Sequence, residues 1–159
     1  MKGFSLLELL AAMLIIVILT AISVPSLKHW WGYRQAEASM QQLESAITYA
    51  KFQALSRQQT LILCPTNDHV HCSDQWCVDY MVGVFKEGDV ARRLKVFKGL
   101  KSTCLIWQGF PKRSSLVFTP YGYSNQQNGR FVLELKGRRI ELVLNRAGRM
   151  RLTNLNPKK

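Results

Sequence analysis

The feature that most restricts this chain lies near its start. Sixteen uncharged, mostly apolar residues run from Leu9 to Val24, with Glu8 before them and Pro25 after. From Phe4 to Leu27 there are 24 residues and one charge, that of Glu8. A helix rises about 1.5 Å per residue and needs roughly 20 residues to cross the hydrocarbon core of a bilayer, so the segment is long enough to span one. A carboxylate alone in hydrocarbon is costly, and such groups are retained where a cation meets them. Lys2 places positive charge on the N-terminal side, which by the positive-inside rule keeps that end in the cytoplasm and sends the rest of the chain across. A cleavable secretory signal would carry its small-residue cleavage site after the apolar run, whereas Gly3 stands before it. The expectation is a single-pass anchor with an exported C-terminal domain.

After Pro25 the pattern stays helical. Ala36, Met40, Leu43, Ile47, Ala50 and Ala54 recur at spacings of three or four, with Gln35, Glu37, Gln41, Gln42 and Glu44 between them, so one stripe is apolar and the other face is wet. A helix from about Ser5 to Ser56 is expected, with a kink at Pro25 because that residue has no N–H to donate. Beyond Arg57 the pattern changes to short strand-like runs separated by Gly, Pro, Asn and Asp: 60–64, 80–85, 93–97, 103–107, 115–119, 130–136, 139–145 and 149–153. The fold class expected is α+β: a long N-terminal helix, apolar in its first half and amphipathic in its second, packed on a mainly antiparallel β-sheet head. The division along the chain is 1–3, 4–27 as the membrane segment, and 28–159 as the head, helical over 28–56 and β-rich over 57–159.

The four cysteines, Cys64, Cys72, Cys77 and Cys104, all fall in the exported part, where an oxidising compartment favours disulfides. Two bridges have three possible connectivities. Cys64 with Cys72 and Cys77 with Cys104 is preferred, because the first pair closes a short loop after a strand. A metal site built from these cysteines with His69 and His71 competes, but the spacings lack the paired C-x2-C pattern of structural zinc sites. No metal or other cofactor is expected. The three histidines have no Ser, Cys or acid arranged beside them as a nucleophile system and no Gly-rich phosphate loop is present, so an enzyme is not expected.

Charge is unevenly spread over a chain of net charge +12. Residues 1–80 hold five Lys/Arg against six Asp/Glu, and residues 81–159 hold seventeen against four. A basic half of this kind points to a polyanionic partner. Near the C-terminus strict alternation places Ile140, Leu142 and Leu144 inward and Arg139, Glu141 and Val143 outward. After the Asn145-Arg146-Ala147-Gly148 turn, Met150 and Leu152 face inward and Arg149 and Arg151 share the outer face. Two strand positions on one face stand roughly 6.5 to 7 Å apart, close to the spacing of successive phosphates along a nucleic-acid strand.

Two stretches resemble known families. Lys2-Gly3, Phe4, Leu6-Leu7-Glu8-Leu9 and Pro25 resemble the class III signal of type IV pilins and pseudopilins. The resemblance implies that prepilin peptidase cuts between Gly3 and Phe4, that the new Phe4 amine is methylated, and that Glu8 pairs with the N-terminal ammonium of a neighbouring subunit in the filament. It also implies the type IV pilin fold, other pilin subunits as partners, and residence in the bacterial inner membrane with a periplasmic head before assembly into a pilus. The ending Asn145-Arg146-Ala147-Gly148-Arg149-Met150-Arg151, with Thr119-Pro120-Tyr121-Gly122 before it, is similar to the C-terminal region of FimT/GspH-type minor pilins. In FimT members linked to natural transformation a GRxR motif belongs to a DNA-binding surface, and Gly148-Arg149-Met150-Arg151 matches it. The resemblance implies a minor pilin that binds extracellular DNA through its phosphates without sequence preference, with Arg146, Arg149 and Arg151 as primary contacts and Lys136, Arg138 and Arg139 as a second tier. The alternative is a structural minor pilin, or a GspH-like pseudopilin of a type II secretion system, that initiates or tips the filament without binding DNA.

Overall fold

The computed structural model describes residues 6–99, 104–135 and 138–155. One helix, α1 (Leu6–Arg57), opens the chain. It is followed by β1 (Leu61–Thr66), β2 (Asp79–Lys86), β3 (Asp89–Phe97), β4 (Ile106–Phe110), β5 (Leu116–Phe118), β6 (Asn128–Leu135), β7 (Arg138–Leu144) and β8 (Met150–Leu155). The expected α+β architecture is present. Its strands divide into two antiparallel four-stranded sheets, ordered β3-β2-β1-β5 and β4-β6-β7-β8. Periodicity marks a strand but does not choose its neighbour, and β1 takes β2 and β5 as neighbours while β4 joins β6.

The described residues fall into two compact units, one ending at Arg34 and one beginning at Gln35. In the first, α1 exposes the whole run from Leu6 to Ala21, Glu8 included, and the Arg34 guanidinium stands over the Trp30 ring, 5.5 Å from its centre. Among the described residues no helix is long and apolar enough to cross a membrane. Helical structure passes through Pro25 without interruption. Gly3 and Phe4 lie outside the described residues.

In the second unit the expected stripe is the core. Ala36, Met40, Leu43, Ile47, Ala50 and Ala54 are all fully buried, joined by Ala46. The helix ends with Gln58 in the left-handed region (φ 51°), where the Gln59 N–H donates to Ala54 O and the Gln58 N–H to Leu55 O, the pair of bonds that satisfies carbonyls at a helix C-terminus. β1 is buried at every position, as expected of an apolar run paired on both sides. The register places Leu61, Leu63, Tyr80, Val82, Leu116 and Phe118 on one face of the first sheet. The same register carries that face to Phe97, whose ring meets Tyr49 of α1 at 5.7 Å. The reverse face holds a smaller cluster of Ile62, Cys64, Met81 and Val117. Trp76 joins the two sheets, touching Tyr80 of the first at 5.7 Å and Phe131 of the second at 4.8 Å. Burial behind Trp76, and next to Asp79, pushes the Tyr80 phenol up to about 12, so it stays neutral in the core. The disulfides are Cys64–Cys72 and Cys77–Cys104, the connectivity preferred from the sequence.

Candidate nucleic-acid interface

The arginine turn is built from the backbone upward. Between Leu144 and Met150, which pair across β7 and β8, the Gly148 N–H donates to Asn145 O at 2.9 Å and the Asn145 N–H to Arg149 O at 3.1 Å. The Arg149 N–H also donates to Asn145 Oδ1 at 2.8 Å. Gly148 has φ +68°, which glycine adopts at no steric cost, and the whole is a tight turn closed by a left-handed glycine bulge. The same arrangement recurs at Thr119–Tyr123. There the Gly122 N–H donates to Thr119 O and the Thr119 N–H to Tyr123 O, both at 2.9 Å, with Gly122 at φ +76°.

The two turns rest on each other and on the helix. A Cβ on Gly148 would stand 3.0 Å from Gly122 O, and one on Gly122 would stand 2.9 Å from Leu55 Cδ1. Lys51 Nζ donates to Gly148 O at 3.1 Å. The Ser124 hydroxyl lies 2.7 Å from Gln127 O, 3.0 Å from Arg146 O and 3.2 Å from Asn145 O, and its single proton serves one of them at a time. These contacts hold the turn from beneath, and Arg146, Arg149 and Arg151 are left exposed to water.

The electrostatics of the two arginine tiers differ. Among the described residues, Arg146, Arg149 and Arg151 have no carboxylate partner, and the segments that build this end (51–57, 119–127 and 142–151) contain no Asp or Glu. Toward the other end of β7, four residues or about 13 Å before the Val143 that faces Arg151, Arg139 Nε lies 2.7 Å from Glu141 Oε1 and Arg139 is in register with Glu134. Glu141 belongs to the outward set by alternation, yet it is 6% exposed. A second cation explains this: an Nη of Arg130 lies 3.5 Å from the other Glu141 oxygen, so the carboxylate is enclosed between two guanidinium groups. Lys136 and the side chain of Arg138 lie outside the described residues.

Sequence reading passed over three residues of this surface. Arg130 sits opposite Val143, which sits opposite Arg151, so all three share one row across β6, β7 and β8. Only strand register brings Arg130 there. Lys51 and Ser124 carry no local signal, since each acts on the turn across a long stretch of chain. His69 and His71 are taken up by the loop after β1: His69 Nε2 lies 2.8 Å from Asp79 Oδ2 and His71 Nδ1 2.8 Å from Asp68 Oδ2. Among the described residues no cluster of His, Cys, Asp and Glu is arranged to hold a metal ion.

Residues 39–148 match the family model for the type II transport protein GspH, which covers more than two thirds of the chain and stops inside the GRxR motif. Two crystal structures of the type IV minor pilin FimU from Pseudomonas aeruginosa strain PAO1 share the fold. One, in space group P65, has a TM-score of 0.59 and 20% identity over 74% of this chain and 91% of that one. The other, in space group P21, has a TM-score of 0.60 and 21% identity over 74% of this chain and 87% of that one. Comparison with curated proteins gives no match. The chain therefore belongs to the family of the type II transport protein GspH, a family of structural subunits rather than enzymes, and its fold is that of FimU.

Proposed function

We propose that this chain is a minor type IV pilin that binds extracellular DNA without sequence preference, for uptake in natural transformation. The observation that carries the reading is the Asn145–Arg149 turn with the start of β8: three exposed arginines, Arg146, Arg149 and Arg151, with no carboxylate partner among the described residues, beside a turn backbone anchored by Lys51 and Ser124. Guanidinium groups in this setting contact phosphates and release condensed counterions, so affinity falls steeply with salt and ignores base identity. The head presents strands and turns here and no helix suited to the major groove, so base readout is not part of the function. Arg146, Arg149 and Arg151 are the primary contacts. Arg139, neutralised by Glu141, belongs to a weaker second tier with Lys136 and Arg138.

On the same reading the chain enters the inner membrane as a prepilin with a periplasmic head, is cut between Gly3 and Phe4 and methylated at Phe4 by prepilin peptidase, and joins the filament through Glu8. The family match favours a second reading, a structural minor pilin or type II secretion pseudopilin that does not touch DNA. The expected result that separates them is duplex binding by the full chain in neutral detergent, independent of sequence and weakened by salt. Replacing Arg149 and Arg151 by Gln is expected to flatten the slope of log affinity against log salt by about one per arginine. An unchanged slope in a folded variant, or no binding by the parent chain, decides for the second reading.

A further inference from the structure

The turn that packs against the arginines carries two large aromatic side chains in water: Tyr121 is 75% exposed and Tyr123 56% exposed. They flank Gly122, the glycine whose carbonyl meets Gly148 and whose Cα rests on Leu55. One helical turn of α1 beside them also exposes Phe52 (63%). Single exposed apolar side chains are ordinary, but aromatic groups gathered at the rim of a cationic turn mark a binding surface. A protein partner suited to this surface would have to be acidic as well as apolar. A phosphate backbone alone accounts for the arginines and leaves the rings unused, because a duplex keeps its base faces stacked inside. Unpaired nucleotides use both, with phosphates on the cations and base faces on the aromatic rings.

Resting on the DNA reading above, we propose that this surface takes single-stranded DNA, with phosphates held by Arg146 and Arg149 and a base stacked on Tyr121 or Tyr123. The acid-free composition of the three segments around it favours a polyanion over a neutral chain. The two stacked glycine turns provide a rigid footing, which reduces the ordering cost of binding.

The test is fluorescence anisotropy of the full chain in neutral detergent, at one low salt concentration, with a short labelled oligothymidylate and with a blunt duplex of the same length. Changing Tyr121→Ala together with Tyr123→Ala is expected to weaken binding of the single strand about 5- to 150-fold, the range for losing one stacked base, and to leave duplex binding within about twofold. Tyr121→Phe with Tyr123→Phe is expected to retain single-strand binding, and unchanged duplex binding reports that the variants are folded. Equal loss for both probes, or no loss for either, overturns the stacking proposal. A parent chain that binds duplex but not the single strand overturns this proposal and leaves the DNA reading standing. A parent chain that binds neither overturns both.

Discussion

At the scale of single residues the most informative group is Glu141. Alternation alone assigns it to the outer face with Arg139 and Val143, and it does belong to that face, yet it is buried because Arg139 and Arg130 close over it at 2.7 and 3.5 Å. An enclosed carboxylate of this kind is tolerated only while its cations remain. Arg130 is about half exposed and Arg139 a little over a third, so solvent screens the pairs and their worth is modest. Glu141→Gln is therefore expected to lower stability by about 1 kcal/mol, read by thermal or urea denaturation. The same change releases two cations, so it is expected to raise affinity for duplex DNA, read by anisotropy. Opposite signs in the two measurements distinguish a charge that restrains the basic face from one that only stabilises the fold; affinity that falls along with stability would overturn this role for Glu141.

Among the elements, the loop between β1 and β2 shows how local chemistry shapes a segment without regular structure. The Cys64–Cys72 bridge closes it, and Asp68 organises its tip by accepting from the N–H groups of Val70 and His71 at 2.8 Å. The hydrogen bond from the His71 ring, followed by those backbone bonds, holds the Asp68 carboxyl well below the usual carboxylate range. The Asp68 partner in turn raises the His71 imidazole above its ordinary 6.5. The signs follow from linkage. Asp68 contributes fully above its ordinary 3.8 and loses its contribution as pH falls through the lowered value. His71 contributes fully below 6.5 and loses its contribution as pH rises through the raised value. The loop is thus best held between about 3.8 and 6.5. Both groups are exposed, so the effect stays local to the loop and leaves global stability nearly unchanged. An NMR titration is expected to show the His71 midpoint above 6.5 in the parent chain and close to 6.5 in Asp68→Asn; identical midpoints would sink this account.

For the whole molecule, the proposed assembly and the proposed DNA contact are carried by different units, Glu8 in the one ending at Arg34 and the arginine turn in the one beginning at Gln35. Their losses are therefore expected to separate. Glu8→Ala is expected to remove the subunit from sheared filaments while its head binds duplex DNA as before, measured by immunoblotting of filaments and by anisotropy; filament incorporation unaffected by the change would argue against the ion-pair role. Much of this plan is legible along the chain. Spacings of three and four mark the buried stripe of α1, and alternation marks the strands, because both depend on local geometry and on which side chains avoid water. The GRxR turn is legible as well, since Gly148 must take a conformation that glycine adopts most readily. What the sequence by itself determined is thus the apolar N-terminal run with its lone carboxylate, the α+β class, the strand inventory and the position of the arginine turn. Tertiary structure alone decided the split into two sheets, the enclosure of Glu141, the alignment of Arg130 in one row with Arg151 across Val143, and the seating of the arginine turn on Lys51 and Gly122. The physical reason is that these contacts join residues distant along the chain, and their energy depends on register and packing that no local pattern encodes.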